Sequence, residues 1–289
     1  MPLKRSICLF SIIVLGLGLQ WGHRHASVIR YALMGMLFLA WIDSKVSLRT
    51  FGHPKLWQLV GLMACIAAAG FTFFSLIDAQ LALTAGLLAM TPTALAAPVV
   101  TSLLRGQVEF VTASVFITNG LIAILLPIIL PILSIHNPEQ QGAQVMFDTL
   151  IVVGLPLLLA EWIRHQIPGF SERLKRLKSL TFYLWLIGLY FASAKAGYFI
   201  RENDQNFIML SMIAMVALIL CILNFGLGRW LGKPSLVQET GQALGQKNTM
   251  LAIWICLTFL SPTTALGPMF YIVFQNIFNA YLLARSPHC

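Results

Sequence analysis

The sequence predicts an all-α integral membrane protein with ten transmembrane helices, built as two inverted five-helix repeats whose fourth and ninth helices are broken and cross each other. Three observations predict this fold: the apolar composition, the one-sided distribution of basic residues, and interruptions at corresponding positions of the two halves. Hydrophobic residues make up 58% of the chain and charged residues 10%, whereas soluble domains average about 45–50% apolar and about 25% charged residues. We therefore expect one membrane domain over residues 1–289 with short loops.

The predicted spans are apolar runs of roughly 20 residues, the length that crosses a ~30 Å hydrocarbon layer. In chain order they are Ile7–Trp21, Ser27–Asp43, Lys55–Ile77, Ala79–Leu104, Val108–Leu133, Val145–Ile163, Leu180–Ala196, Phe207–Leu231, Ser235–Leu260 and Thr263–Ala284. The polar loop His136–Gln141 separates a first repeat, at about residues 7–134, from a second, at about residues 144–284. Met1–Leu19 also resembles a signal peptide, but no secreted domain follows it, so we interpret it as the first span.

Basic residues test this count of spans. With the N-terminus in the cytoplasm and the spans alternating, 14 Lys and Arg residues fall on the cytoplasmic side, four on the outer side, and Lys247 inside a span. The positive-inside rule requires such a bias, and a miscounted span would have scrambled it. The sequence therefore predicts a multi-pass protein of the cell inner (plasma) membrane with both termini in the cytoplasm.

Two predicted spans are interrupted at corresponding positions of the two halves. The fourth span contains Pro92 and Pro98 in an apolar run, and the ninth contains GQALGQKN with Gly241 and Gly245. Proline removes a backbone donor, and glycine weakens a helix by about 1 kcal/mol relative to alanine. At about 1.5 Å per residue, both interruptions fall near the middle of the membrane. Inverted repeats with matched breaks of this kind build secondary transporters, whose sites lie at the breaks.

Lys247 is the most unusual residue of the second interruption. From Asn248 to Ala284 there is no charged side chain, and a lysine at the centre of a spanning helix costs about 2.5–3.5 kcal/mol on insertion scales. We expect Lys247 to face a polar cavity, to pair with an acid or an unwound carbonyl, or to lose its proton. The alternative is a ninth span that starts later, with Lys247 in a loop or snorkelling at a helix end.

Two acidic residues are candidate partners of Lys247 or proton relays. Glu239 precedes it by two turns in the same span, and Glu109 lies near the cytoplasmic end of the fifth span. The alternative for both is an acid near a helix N-terminus, where the helix dipole favours negative charge.

Further polar residues flank the breaks or lie in the fifth and tenth spans. The candidate substrate- or ion-binding residues are Thr91, Thr93, Pro98, Thr101, Gln246 and Asn248 at the breaks, and Thr118, Asn119, Gln275 and Asn276 in the two other spans. At the breaks, freed carbonyls and half-helix ends favour contact with a solute or ion. In the fifth and tenth spans, such side chains are equally well explained as hydrogen bonds between helices, worth about 0.6 kcal/mol each.

Other classes of protein find no support in the sequence. The net charge of +9 does not indicate nucleic acid, because the basic residues are scattered over loops between apolar runs. The five cysteines and six histidines show no metal-ligand spacing, no cofactor motif is present, and no nucleophile or acid pair indicates an enzyme.

The two interruptions resemble those of the bile acid:sodium symporter family. Ala243-Leu244-Gly245-Gln246-Lys247-Asn248, followed by Leu251-Ala252, is similar to that family's Glu-x-Gly-x-Gln-Asn motif and its Leu-Ala pair. In the first half, TPTALAAPVVTSLLRG resembles the family's proline/glycine segment and its run ending in Arg/Lys-Gly. The resemblance covers most of the chain and implies the crossed, broken helices, with spans three to five and eight to ten forming a core that moves against a panel of the remaining four.

The departures from that pattern concern the ions. Ala97-Pro98 stands where the family has a Ser-Asn pair, Ala243 where it has glutamate, and Lys247 where it has glutamine. The resemblance implies that those positions supply oxygens to two sodium ions, and most of these ligands are missing here. A lysine ammonium at such a position supplies the charge that sodium would have brought, and a proton that it loses and regains would couple transport to a proton gradient.

The sequence thus predicts a secondary transporter of a small organic anion that works by alternating access within the lipid bilayer, with the proton or sodium as coupling ion. The alternatives are a proton- or sodium-coupled exporter or symporter of another solute, and a channel or non-transporting membrane sensor. The substrate, the direction of transport and the oligomeric state remain open at this point.

Overall fold

The computed structural model describes residues 2–19, 21–43, 47–133, 144, 146–202 and 207–285. Over these residues the protein is all-helical. The predicted loop His136–Gln141 lies outside the described residues.

Most of the described residues lie in helices. In chain order we label them α1 (Pro2–Leu19), α2 (Ser27–Asp43), α3 (Leu48–Phe51), α4 (Pro54–Ser75), α5 (Ala79–Met90), α6 (Ala97–Leu103), α7 (Val108–Leu133), α8 (Leu155–Gln166), α9 (Pro168–Lys175), α10 (Leu180–Glu202), α11 (Phe207–Leu231), α12 (Val237–Gly245), α13 (Thr249–Phe259) and α14 (Pro262–Arg285). A π-helical segment, Leu150–Gly154, leads into α8.

The fold is that of a multi-pass membrane protein. Among the described residues, five helices are long and apolar enough to cross a membrane: Pro54–Ser75, Val108–Leu126, Met146–Gln166, Phe207–Leu231 and Pro262–Arg285. A sixth results if α9 and α10, which are bent by 62°, form one span. α5 and α13 are shorter apolar helices, and each is one part of an interrupted pair, α5–α6 and α12–α13.

Local signals explain where several of these helices begin. The Asp78 carboxylate accepts the backbone N–H groups of Gln80 at 2.7 Å and Leu81 at 3.1 Å, and so caps α5. Asn248 caps α13 in the same way through Leu251, at 3.3 Å. Such caps satisfy donors that the first turn of a helix leaves unpaired. The second interruption therefore ends at Asn248, where the side chain restarts the helix.

The helices pack in two groups. One group contains α1, α2, α8 and α10, in which α10 packs against α1 and α2, and α2 against α8. The other contains α4 to α7 and α11 to α14, with α5 against α4, α11 and α14. Helix α13 lies between the groups, because it contacts α2 and α10 as well as α5 and α14.

A glycine allows a close helix contact near the second interruption. A Cβ atom on Gly228 of α11 would lie 2.6 Å from the carbonyl oxygen of Thr240 in α12. Small residues permit helix backbones to approach in this way. The close approach increases the van der Waals contacts between the helices, which drive helix association in lipid. Helix α12 is therefore held against α11 along its length, up to the interruption.

Candidate functional site

The two interruptions lie against each other in the interior of the protein. Thr93 and Lys247 form an isolated antiparallel bridge. The N–H of Ala94 donates to the carbonyl oxygen of Gln246 at 2.8 Å, and the N–H of Asn248 donates to that of Pro92 at 2.8 Å. Backbone groups released by two broken helices thus satisfy each other, which a buried, water-poor position requires. We call this meeting point, residues 91–96 with 246–248, the crossover.

Side chains reinforce the crossover reciprocally. The hydroxyl of Thr93 donates to the carbonyl oxygen of Ala243 at 2.7 Å, near the end of α12. The ammonium of Lys247 donates to the carbonyl oxygen of Ala89 at 2.9 Å, near the end of α5. The last turns of a helix carry carbonyls without intrahelical partners. Each interruption therefore caps the helix that leads into the other.

The same correspondence extends to α7 and α14. The N–H of Thr93 donates to the hydroxyl oxygen of Thr118 in α7 at 3.0 Å. The N–H of Lys247 donates to the side-chain oxygen of Gln275 in α14, also at 3.0 Å. Each bridge residue is thus held by a polar side chain of the helix that follows its own interrupted pair.

An asparagine pair ties the second interruption to α7. The side-chain amide of Asn119 donates to the carbonyl oxygens of Thr93 at 3.1 Å and Val115 at 2.8 Å. Its oxygen accepts a hydrogen bond from the side-chain amide of Asn248 at 3.1 Å. Since Asn248 also caps α13, the start of α13 is fixed relative to both α7 and the first interruption.

Lys247 is buried without a carboxylate partner. Only 1% of its surface is exposed, and among the described residues no carboxylate oxygen lies within 4.0 Å of its ammonium nitrogen. Its position beside the last turn of α5 is electrostatically favourable, because the C-terminal end of a helix attracts cations. Of the partners considered from the sequence, the carbonyl at the end of a broken helix is the one observed, and Lys247 does not lie in a surface loop.

Two positions at which the family resemblance implies sodium ligands, those of Ala243 and Lys247, carry other groups here. Ala243 offers no side-chain oxygen, and the Lys247 ammonium already occupies the carbonyl oxygen of Ala89. A cation placed beside that ammonium would be repelled. In the part of the chain that the structure describes, no group of three His, Cys, Asp or Glu side chains is placed to hold a metal ion.

The two acidic candidates do not contact Lys247. Glu239 is in the first turn of α12 and accepts the N–H of Gln107 at 2.6 Å. Glu109 is in the first turn of α7 and accepts the N–H of Ser47 at 2.9 Å and the hydroxyl of Thr50 at 2.6 Å. Both acidic residues therefore lie in the first turn of a helix, which was the alternative considered from the sequence. The prediction that either of them pairs with Lys247 is wrong.

Other predicted site residues lie farther from the bridge or bond within their own helix. Thr91 and Thr101 donate to carbonyls one turn earlier, of Leu87 and Ala97, at 2.8 and 2.9 Å. Pro98 occupies the first turn of α6, and Asn276 donates to Ile272 in its own helix at 2.7 Å. The structure thus brings together Thr93, Thr118, Asn119, Lys247, Asn248 and Gln275.

Gln246 is the one crossover side chain with an unsatisfied buried group. It is buried, and its side-chain oxygen has no hydrogen-bond partner. An acceptor left unpaired in a buried position costs about 1–3 kcal/mol. The arrangement therefore leaves a hydrogen-bond acceptor available at the second interruption.

The sequence reasoning missed Tyr271 and Asn224. The Tyr271 hydroxyl donates to the carbonyl oxygen of Gly245 at 2.8 Å and accepts the amide of Asn224 at 3.2 Å. Tyr271 precedes Gln275 by four residues, so both side chains lie on one face of α14. That spacing could have indicated that Tyr271 and Gln275 act at the same site. Tyrosine is, however, also common in apolar helices and was not singled out.

Comparison with known proteins adds no assignment: no family model matches the chain, and no curated protein matches it.

Proposed function

We propose that this protein is a secondary active transporter of a small organic anion, similar to the bile acid:sodium symporters, in which the Lys247 ammonium takes the place of a bound sodium ion. The observation that carries the proposal is the crossover itself, with a buried lysine bonded to the last turn of the opposite broken helix. Such sites near the midplane, between discontinuous helices, are the binding sites of secondary transporters.

The proposed architecture is ten spans in two inverted repeats, with both termini in the cytoplasm. It is supported by the reciprocal hydrogen bonds, because Thr93 and Lys247 correspond in their bridge, in their bonds to the opposite helix and in their bonds to α7 and α14. It is also supported by the one-sided distribution of basic residues.

Alternating access would use the two packing groups of helices. The crossover belongs to the group of α4 to α7 and α11 to α14, and α13 faces α2 and α10 of the other group. Thr93, Lys247 and Asn248 are buried, so a solute reaches them only when the groups separate. Movement of one group against the other, first at one end and then at the other, would expose the crossover to each side in turn.

The choice of an anion follows from charge. Lys247 has no carboxylate within 4.0 Å among the described residues, and the first turn of α13 begins one residue after Asn248. A fixed positive charge and a helix N-terminus both stabilise an anion. A transported carboxylate bound beside Lys247 would neutralise the positive charge of its ammonium group.

The test is flux in proteoliposomes of the purified protein. Uptake of pyruvate, succinate and taurocholate is measured under proton and sodium gradients, with Lys247→Met as the site variant. Lys55→Met is the matched control, because the Lys55 ammonium also donates to carbonyls that follow a helix, those of Gly232 at 3.0 Å and Lys233 at 2.9 Å, but outside the crossover.

The expected result is saturable uptake of at least one anion that Lys247→Met abolishes and Lys55→Met retains. Conductance that does not saturate would indicate a channel, and binding without flux would indicate a sensor. Saturable flux of cations or neutral solutes only would overturn the assignment to an anion.

A further inference from the structure

A polar cleft lies at the end of the helix bundle where α4, α7 and α12 begin. Its volume is about 230 Å³, and it is lined by Arg49, Thr50, His53, Gln107, Glu109, Phe110 and Leu236. None of these residues belongs to the crossover. In the proposed orientation this is the cytoplasmic end.

The cleft presents hydrogen-bond donors. Arg49 lies on α3 and carries a permanent positive charge. The Nδ1 atom of His53 accepts the N–H of Lys55 at 3.2 Å, which leaves the ring proton on Nε2 as a donor. The side-chain amide of Gln107 adds two further N–H groups.

The acidic residue of the cleft is already engaged. One carboxylate oxygen of Glu109 accepts both the N–H of Ser47 and the hydroxyl of Thr50, at 2.9 and 2.6 Å. These bonds hold the carboxylate against α3. Arg49, His53 and Gln107 supply N–H donors to the lining, and the positive charge of Arg49 offsets the negative charge of Glu109, so the cleft offers a carboxylate hydrogen bonds without a net like charge.

We propose that this cleft is a second binding site, for a small organic carboxylate. Arg49, His53 and Gln107 donate to the carboxylate oxygens, and Phe110 and Leu236 contact the carbon skeleton. The volume of about 230 Å³ is below the ~300–1,000 Å³ of pockets for drug-sized ligands, which favours molecules the size of pyruvate or benzoate. Only the further step, that this anion is the transported solute, rests on the proposed function.

Along α12, Glu239 lies between the cleft residue Leu236 and the crossover. Leu236 lines the cleft, and Glu239 lies one turn farther along α12, where its carboxylate accepts the N–H of Gln107 at 2.6 Å. A Cβ atom on Gly106 would lie 2.9 Å from the same oxygen, so the turn between α6 and α7 is fitted closely to this carboxylate. An anion bound in the cleft therefore lies on the outer side of the contact between Glu239 and Gln107.

The proposal is tested by thiol labelling of the full-length protein in detergent. The five native cysteines are replaced by alanine, and a reporter cysteine is placed at the rim of the cleft by Val108→Cys, because Val108 is exposed and lies between the lining residues Gln107 and Glu109. Labelling rates are measured with an anionic and a cationic methanethiosulfonate of similar size, with and without Arg49→Gln. A reporter at Ser75→Cys, on the exposed end of α4, is the control, and every variant must elute as a monodisperse peak.

The ratio of anionic to cationic labelling at Val108→Cys should fall about threefold or more with Arg49→Gln, the effect of one water-screened charge, and stay unchanged at Ser75→Cys. Millimolar pyruvate or benzoate should slow labelling at Val108→Cys only. An unchanged ratio, or no protection by either anion, would overturn the proposal. Labelling needs no gradient, so a failure of transport leaves this result standing and is recognised separately.

Discussion

Thr93 and Lys247 face each other in an antiparallel bridge, and each side chain donates to a carbonyl of the helix that leads into the other's interruption, Thr93 to Ala243 at 2.7 Å and Lys247 to Ala89 at 2.9 Å. The two residues are chemically different but occupy equivalent places. One is a neutral hydroxyl and the other a cation, so the charge of the crossover comes from the second interruption alone.

Replacing Thr93 by valine should destabilise the protein by about 1–3 kcal/mol, because the buried carbonyl of Ala243 loses its donor while the shape of the side chain is kept. Thr93→Ser keeps the hydroxyl and is the control. The free energy of unfolding is measured by titration with SDS in mixed micelles. Equal stability of the valine and serine variants would show that this hydrogen bond is not needed.

Gly245 is required by the ring of Phe225. A Cβ atom at Gly245 would collide with that ring, which is fully buried. Gly245→Ala should therefore destabilise the protein by roughly 1–3 kcal/mol, the usual cost of overpacking. Phe225→Leu should recover part of this loss, so that a double-mutant cycle gives a coupling energy of about 0.5 kcal/mol or more. Additive effects would contradict the contact.

The contact between Glu239 and Gln107 should block access from the cleft to the crossover. Thr101 is fully buried in α6 beside Gly106, so a reporter at Thr101→Cys should react slowly with a membrane-impermeant thiol reagent. Adding Glu239→Ala should increase that rate several-fold, because the N–H of Gln107 loses its acceptor. Glu239→Gln retains a side-chain oxygen and should leave the rate nearly unchanged. If the alanine variant labels no faster than the glutamine variant, the contact does not close this route.

The sequence predicted most of the long apolar helices and both interruptions. Long apolar runs favour helices, and Pro92, Gly241 and Gly245 weaken the helix locally whatever surrounds them. The predicted eighth span, Phe207–Leu231, coincides with α11. The short helix α9, Pro168–Lys175, was not predicted, since its charged residues place it outside any apolar run.

The partners within the site were harder to predict, because several are backbone groups. The acceptors of Lys247 and Thr93 are carbonyls of two alanines, and no side-chain pattern identifies them. The pairing of Glu239 with Lys247 failed for a related reason. The turn between α6 and α7, where Arg105 adopts φ 61°, presents the N–H of Gln107 to that carboxylate, and such a turn follows from tertiary packing.

Replacement of sodium by the Lys247 ammonium is tested by initial rates of anion uptake in proteoliposomes. Uptake is compared in sodium buffer and in sodium-free choline buffer for the wild type and for Lys247→Gln, with Lys55→Gln as the control. Equal wild-type rates are expected in both buffers, with a loss of about tenfold or more in Lys247→Gln alone. A wild type that requires sodium, or uptake that Lys247→Gln leaves unchanged, would contradict it.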